Sequence, residues 1–211
     1  MSARAGIAPV ALHRTLAPEE AGRASLYALL ARLIHAAPDD ALLHRIAQSA
    51  ALDPPGDAAL ARAWEELVAA SSVMDADAAG EEHDALFATL GKAAVSRYAG
   101  YYTGASAVDH PRVRIRADLA ALGLAPRSDA TEPEDHFGGL FEAMRVLVAG
   151  GAGRAPATIA EQRRFFEAHV DPAASRFFAA LASAQASNYY RKVAALGAAF
   201  VALESQSFSM D

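Results

Sequence analysis

The sequence predicts an all-α fold, a single-domain bundle of about eight or nine helices. Three observations carry that expectation. Hydrophobic residues make up 53% of the 211, and many are alanine, a strong helix former with little bulk. β-branched residues never gather into an alternating run, so no segment reads as a strand. Apolar residues recur at helical spacing behind recognisable helix starts.

The starts and stops run in order. Pro18-Glu19-Glu20 places a proline and two acids in a first turn, where the helix dipole favours negative charge. Leu26, Tyr27, Leu30, Leu33 and Ile34 follow, giving a helix over about 18–36. Pro38-Asp39-Asp40 opens a short second helix with Leu42, Leu43 and Ile46. After the break at Asp53-Pro54-Pro55-Gly56, helices over about 57–72 and 76–90 are built on Leu60, Trp64, Leu67 and Val68, then Leu86, Phe87 and Leu90, with Gly91 as the stop.

Lys92 to Gly104 reads as an aromatic loop. A helix around 113–122 ends at Gly123, and residues near 123–131 form a polar hinge loop. Thr131-Glu132-Pro133 is expected to open the next helix, whose stripe of Phe137, Leu140, Phe141, Met144, Leu147 and Val148 is the strongest periodicity in the chain. Gly150-Gly151-Ala152-Gly153 stops it. Further helices run through Phe165 and Phe166, from Asp171-Pro172, and through Tyr190, Val193, Leu196, Phe200 and Leu203. Residues 1–17 read as a flexible tail and 18–211 as one all-helical domain.

Composition narrows the function classes. The chain has no cysteine, which removes disulfides and thiolate chemistry. With 25 acidic against 19 basic residues the net charge is −6, so there is no electrostatic footprint for nucleic acid, and the balance is compatible with a partner that carries positive charge. No signal peptide and no membrane span is read from the sequence, so a cytoplasmic location is expected.

The segment Glu132-Pro133-Glu134-Asp135-His136 admits three readings. First-turn acids after a proline are what a helix N-terminus needs, although that does not account for His136. Glu132, Asp135 and His136 at i, i+3 and i+4 would share one helical face and could accept paired hydrogen bonds from a guanidinium. The same three could bind a divalent cation, but the chain has neither HExxH nor a paired Glu-x-x-His. Tyr98, Tyr101 and Tyr102 could line a peptide groove or anchor a loop to the core. No P-loop or nucleophile elbow is present.

Glu132-Pro133-Glu134-Asp135-His136 with Met144 resembles the E-P-x-D-H…M signature of TorD-like chaperones, the family that includes DmsD and NarJ relatives. The order of other pieces is similar too: Leu26 to Ala31, Leu86-Phe87, the Tyr98 to Tyr102 loop, Phe165 to Val170, and Tyr189-Tyr190-Arg191. His83 stands where the family's motif tyrosine is expected, and Ala173 lies near the place of a usual tryptophan.

The resemblance implies a non-enzymatic chaperone that binds the N-terminal, twin-arginine leader of an apo molybdenum-cofactor oxidoreductase and assists cofactor insertion before export or assembly. It implies no resident cofactor, weak guanine-nucleotide binding by analogy, and a monomer or domain-swapped homodimer. The expected peptide site comprises Glu132, Glu134, Asp135 and His136 as the polar patch, with Tyr98, Tyr101, Tyr102, Phe137 and Phe141 as the apolar groove. The two phenylalanines also fit the core stripe. The competing expectation is a metal- or nucleotide-dependent hydrolase using Glu132, Asp135 and His136.

Overall fold

In the computed structural model, which describes residues 16–52, 57–87, 93–104, 111–125, 132–151 and 153–210, the chain is all-α. In order the helices are α1 (Pro18–His35), α2 (Asp40–Ala47), α3 (Ala58–Ser71), α4 (Ala76–Phe87), α5 (Ala99–Thr103), α6 (Pro111–Ala121), α7 (Phe137–Ala149), α8 (Ile159–Phe165), a π turn (Phe166–Val170), α9 (Asp171–Ser183) and α10 (Tyr189–Met210). Among the described residues there is no strand, only isolated bridges between Tyr98 and His136 and between Gly151 and Arg154.

Local chemistry sets several of the helix ends. Asp39 and Asp57 accept hydrogen bonds from Leu42 N and Leu60 N, each 2.8 Å, as N-caps of α2 and α3. Thr158 and Glu161 form a capping box on α8. The start of α10 is capped from a distance: the Glu82 carboxylate of α4 accepts from Asn188 N, Tyr189 N and Tyr190 N at 2.7–3.0 Å. A carboxylate there satisfies orphan donors and meets the positive end of the longest helix.

The core is built by α1 against α7 and by α10 against α9 and α3. Tyr27, Phe137, Phe141, Phe177, Phe178 and Phe200 are fully buried in it. Phe137 stacks on Phe177 with centroids 4.3 Å apart, and Phe200 meets Tyr27 edge-on at 4.7 Å. Glu204 is buried inside α10, where Arg23 grips both its oxygens at 2.7 and 2.8 Å and the Tyr27 hydroxyl donates to it at 2.8 Å. Among the described residues α10 is long and apolar enough to cross a membrane. In this fold its apolar face, with Tyr190, Val193, Leu196 and Phe200, lies in the core.

Two expectations need correction. The aromatic segment is not all loop, because Ala99–Thr103 closes a short helix ended by Gly104 at φ 66°. The helix expected to open at Thr131–Pro133 begins only at Phe137, for reasons that belong to the site. The tail at 1–15, the break at 53–56 and most of the expected hinge, 126–131, lie outside the described residues.

A Cβ added at Gly197 of α10 would lie 2.2 Å from Phe178 Cε1 and Cζ, well inside contact distance. Alanine elsewhere in a helix gains about 1 kcal/mol over glycine. Here overpacking costs about 1–3 kcal/mol and decides the sign. Gly197→Ala is therefore expected to lower the midpoint of thermal unfolding measured by circular dichroism; a raised midpoint would show that α9 and α10 do not approach this closely.

Candidate functional site

Residues 132–136 form a turn, not the first turn of a helix. His136 N donates to Pro133 O at 3.0 Å, and the backbone then pairs with the segment before α5: Ala99 N donates to Asp135 O at 2.8 Å and Phe137 N to Arg97 O at 2.9 Å. These cross-links hold His136 extended (ψ 127°) as the N-cap of α7. Its Nδ1 accepts from Gly138 N at 3.1 Å, which leaves the ring proton on Nε2. The fit needs glycine at 138, since a Cβ would sit 3.0 Å from that Nδ1 and 3.2 Å from Ala31 O.

His136 is 1% exposed, with its ring edge-on to His35 and Tyr98. Nε2 finds no hydrogen-bond partner among the described residues. Burial, followed by the nearby Arg97 guanidinium, outweighs the attraction of Glu132 and Asp135 and lowers its pKa to about 4. The imidazole is neutral at pH 7.

Each acid of the turn already has a partner. Asp135, 1% exposed, accepts from Arg112 Nε at 2.8 Å through Oδ1, and its Oδ2 lies 3.4 Å from Gly100 N. Glu134 accepts from Arg116 Nε at 2.6 Å. A backbone hydrogen bond and then Arg116 hold its carboxyl below the usual range. Glu132 accepts from the Tyr98 hydroxyl at 2.9 Å. Arg112 and Arg116 stand four residues apart on α6, one turn above each other, so both guanidiniums reach the turn from one face.

The rest of α6 is lightly seated. Ile115 is its one buried side chain, worth roughly 2–3 kcal/mol, while Val113 is 71% exposed. At its far end the Asp118 carboxylate lies 2.6 Å from His169 Nε2, and Arg154 donates to Leu122 O. The π turn brings His169 to this position, and burial lowers its pKa.

The nine expected site residues thus divide. Glu132, Glu134 and Tyr98 are partly accessible and Tyr101 is 72% exposed; these four lie around the same turn and the start of α5. Tyr102 is a core anchor: its ring packs on Phe137 and Phe177, its hydroxyl donates to Ser96 O at 2.8 Å, and burial pushes its pKa up to about 12. Phe137 and Phe141 are fully buried and form no groove wall. Asp135 and His136 are sealed in as well, because the turn uses them to fasten α6 and to cap α7. The expectation of one helical face carrying Glu132, Asp135 and His136 fails with the helix start. Among the described residues no three His, Asp or Glu side chains converge as a metal ligand set.

The residues that sequence reading passed over are Arg112, Arg116 and Arg97. A signal for two of them was present: Arg112 and Arg116, at i and i+4, put like charges on one helical stripe, which calls for acids opposite.

The model of the nitrate reductase delta subunit family matches residues 53–179, more than half of the chain. The chain belongs to that family. The match spans α3 to most of α9 and includes the 132–136 turn, the Tyr98–Tyr102 segment and Phe165 to His169. The delta subunit family is one of TorD-like molybdoenzyme maturation chaperones, as the resemblance implied, so the protein is a redox-enzyme maturation chaperone. A search of curated proteins found no match to the chain.

The His136 environment makes stability depend on pH. Its pKa is 6.5 unfolded and about 4 folded, so the unfolded chain takes up a proton that the fold refuses. Stability is complete above pH 6.5 and falls as pH drops toward 4, by on the order of 3 kcal/mol. His136→Asn keeps a capping acceptor and removes the titration. The fall in unfolding midpoint between pH 7.5 and 5 should be smaller in this variant than in wild type; an equal fall contradicts the buried neutral imidazole. His83 and His169, both with lowered pKa, supply the part that remains.

Proposed function

We propose that this chaperone binds the N-terminal leader of an apo molybdenum-cofactor oxidoreductase, a segment combining paired arginines with an apolar stretch, and holds the enzyme while its cofactor is inserted. The binding surface is the rim of the 132–136 turn, with Glu132 and Glu134 as acceptors and Tyr98 and Tyr101 as the aromatic floor. It acts by binding, without a catalytic step. Since cofactor insertion precedes export or assembly, the cytoplasm is the compartment where it works.

One observation carries this reading: the turn already holds two arginines, Arg112 at 2.8 Å from Asp135 and Arg116 at 2.6 Å from Glu134. A surface whose acids accept guanidinium N–H groups from neighbouring positions has the complementarity a paired-arginine segment requires. The exposed Tyr101 beside it offers apolar area at low entropy cost. The hydrolase alternative has less support, because the carboxylates it would use on a metal are engaged by cations or by Tyr98.

Calorimetric titration with a synthetic leader tests it. Replacing both leader arginines by lysine should weaken binding by about ten-fold or more, because lysine cannot reproduce the forked contact. Tyr101→Ala should weaken the arginine leader as well. Equal affinity for the arginine and lysine leaders would refute guanidinium recognition at this turn.

A further inference from the structure

We infer that α6 is an internal strap that occupies the leader site, with Arg112 and Arg116 standing in for the leader's arginines until a client displaces them. This rests on the leader-binding reading above and adds a means of regulation to it.

Between the ends of α6 one side chain, Ile115, is buried. Leu119 and Leu122, near its C-terminal end, are partly buried against the core, and the polar seats among the described residues fall at two points. The N-terminal half is fixed to the turn through Arg112–Asp135 and Arg116–Glu134, with the two arginine side chains 41% and 70% exposed. The C-terminal half is fixed elsewhere, through Asp118 to His169 and Leu122 O to Arg154. A helix attached in this way can release one end while the other stays anchored.

The second point is chemical identity. The contacts α6 makes with the turn are guanidinium–carboxylate contacts, the same kind a basic leader would make, and one of them occupies Glu134, an acceptor of the proposed surface. Both cannot be made at once. The Asp135 carboxylate is buried beneath Arg112, so it is presented to a ligand only when that arginine withdraws. His136 beside it has a buried Nε2 with no partner among the described residues. The Arg116–Glu134 pair, with its guanidinium 70% exposed, is weak and screened by salt, whereas Asp135 is buried and gives up Arg112 only to another guanidinium, so a basic segment can exchange for the strap where an uncompensated opening cannot.

The test uses the full chain and two variants, Arg116→Gln and Arg112→Gln/Arg116→Gln. The single variant leaves the buried Asp135 paired and guards against a folding defect in the double one. Hydrogen exchange without peptide reads the strap alone. Amides of 111–118 should exchange faster in the variants while α7, α9 and α10 keep their protection; unchanged protection of 111–118 overturns the strap. Calorimetry with the arginine leader reads competition. Affinity should rise in the double variant on the order of ten-fold, the factor for a site that is otherwise blocked about nine-tenths of the time. The single variant should show a smaller gain. Equal or weaker binding in both variants overturns the competition while leaving leader recognition intact. Release of α6 with no leader binding in any form of the protein instead removes the leader reading, and the proposed competition with it.

Discussion

The arrangement depends on the Asp135 carboxylate and the peptide that carries it. One residue, 1% exposed, joins three parts of the chain: its backbone carbonyl receives Ala99 N, its Oδ1 receives Arg112 of α6, and its Oδ2 faces Gly100. A buried carboxylate is costly unless it is paired, and removing a partner costs more than the pair itself contributes. That asymmetry ties the aromatic segment, α6 and the start of α7 to one another. Gly100 packs closely on this carboxylate: a Cβ there would lie 3.0 Å from Asp135 Oδ2.

From this constraint the division of labour in the signature turn follows. Asp135 and His136 face inward, one fastening α6 and the other capping α7, while Glu132 and Glu134 reach the rim. Here the inward pair sets the position of the outward pair. The rim of Glu132 and Glu134 is therefore carried on a turn whose backbone is hydrogen-bonded to the Arg97–Ala99 segment and joined directly to α7.

Much of this was legible in the sequence. The stripe from Phe137 to Val148 marked the core helix, and the spacing of Tyr27, Leu30 and Ile34 marked its neighbour α1, because side chains three and four residues apart must share a face. The start at Pro38-Asp39-Asp40 was local chemistry and easily read, with Asp39 capping α2. What escaped was set by contacts distant in sequence. Pro133 followed by acids looks like a helix start, and only the cross-links to Arg97 and Ala99, more than thirty residues earlier in the chain, hold the turn open until Phe137. The arginines of α6 were in view, but nothing local said which acids they would meet. Phe137 and Phe141 satisfied both a groove and a core by pattern, and burial assigned them to the core.

The most direct test of the account is a side-chain NMR titration of the wild-type protein, following the Nε–Hε signals of Arg112 and Arg116 as an unlabelled arginine leader is added. Both signals should be protected from solvent exchange in the free protein, and saturation with leader should abolish that protection while the α7 amide signals persist. If the two arginines remain protected and unshifted in the saturated complex, the leader does not dock on the carboxylates of the 132–136 turn, and the central claim fails.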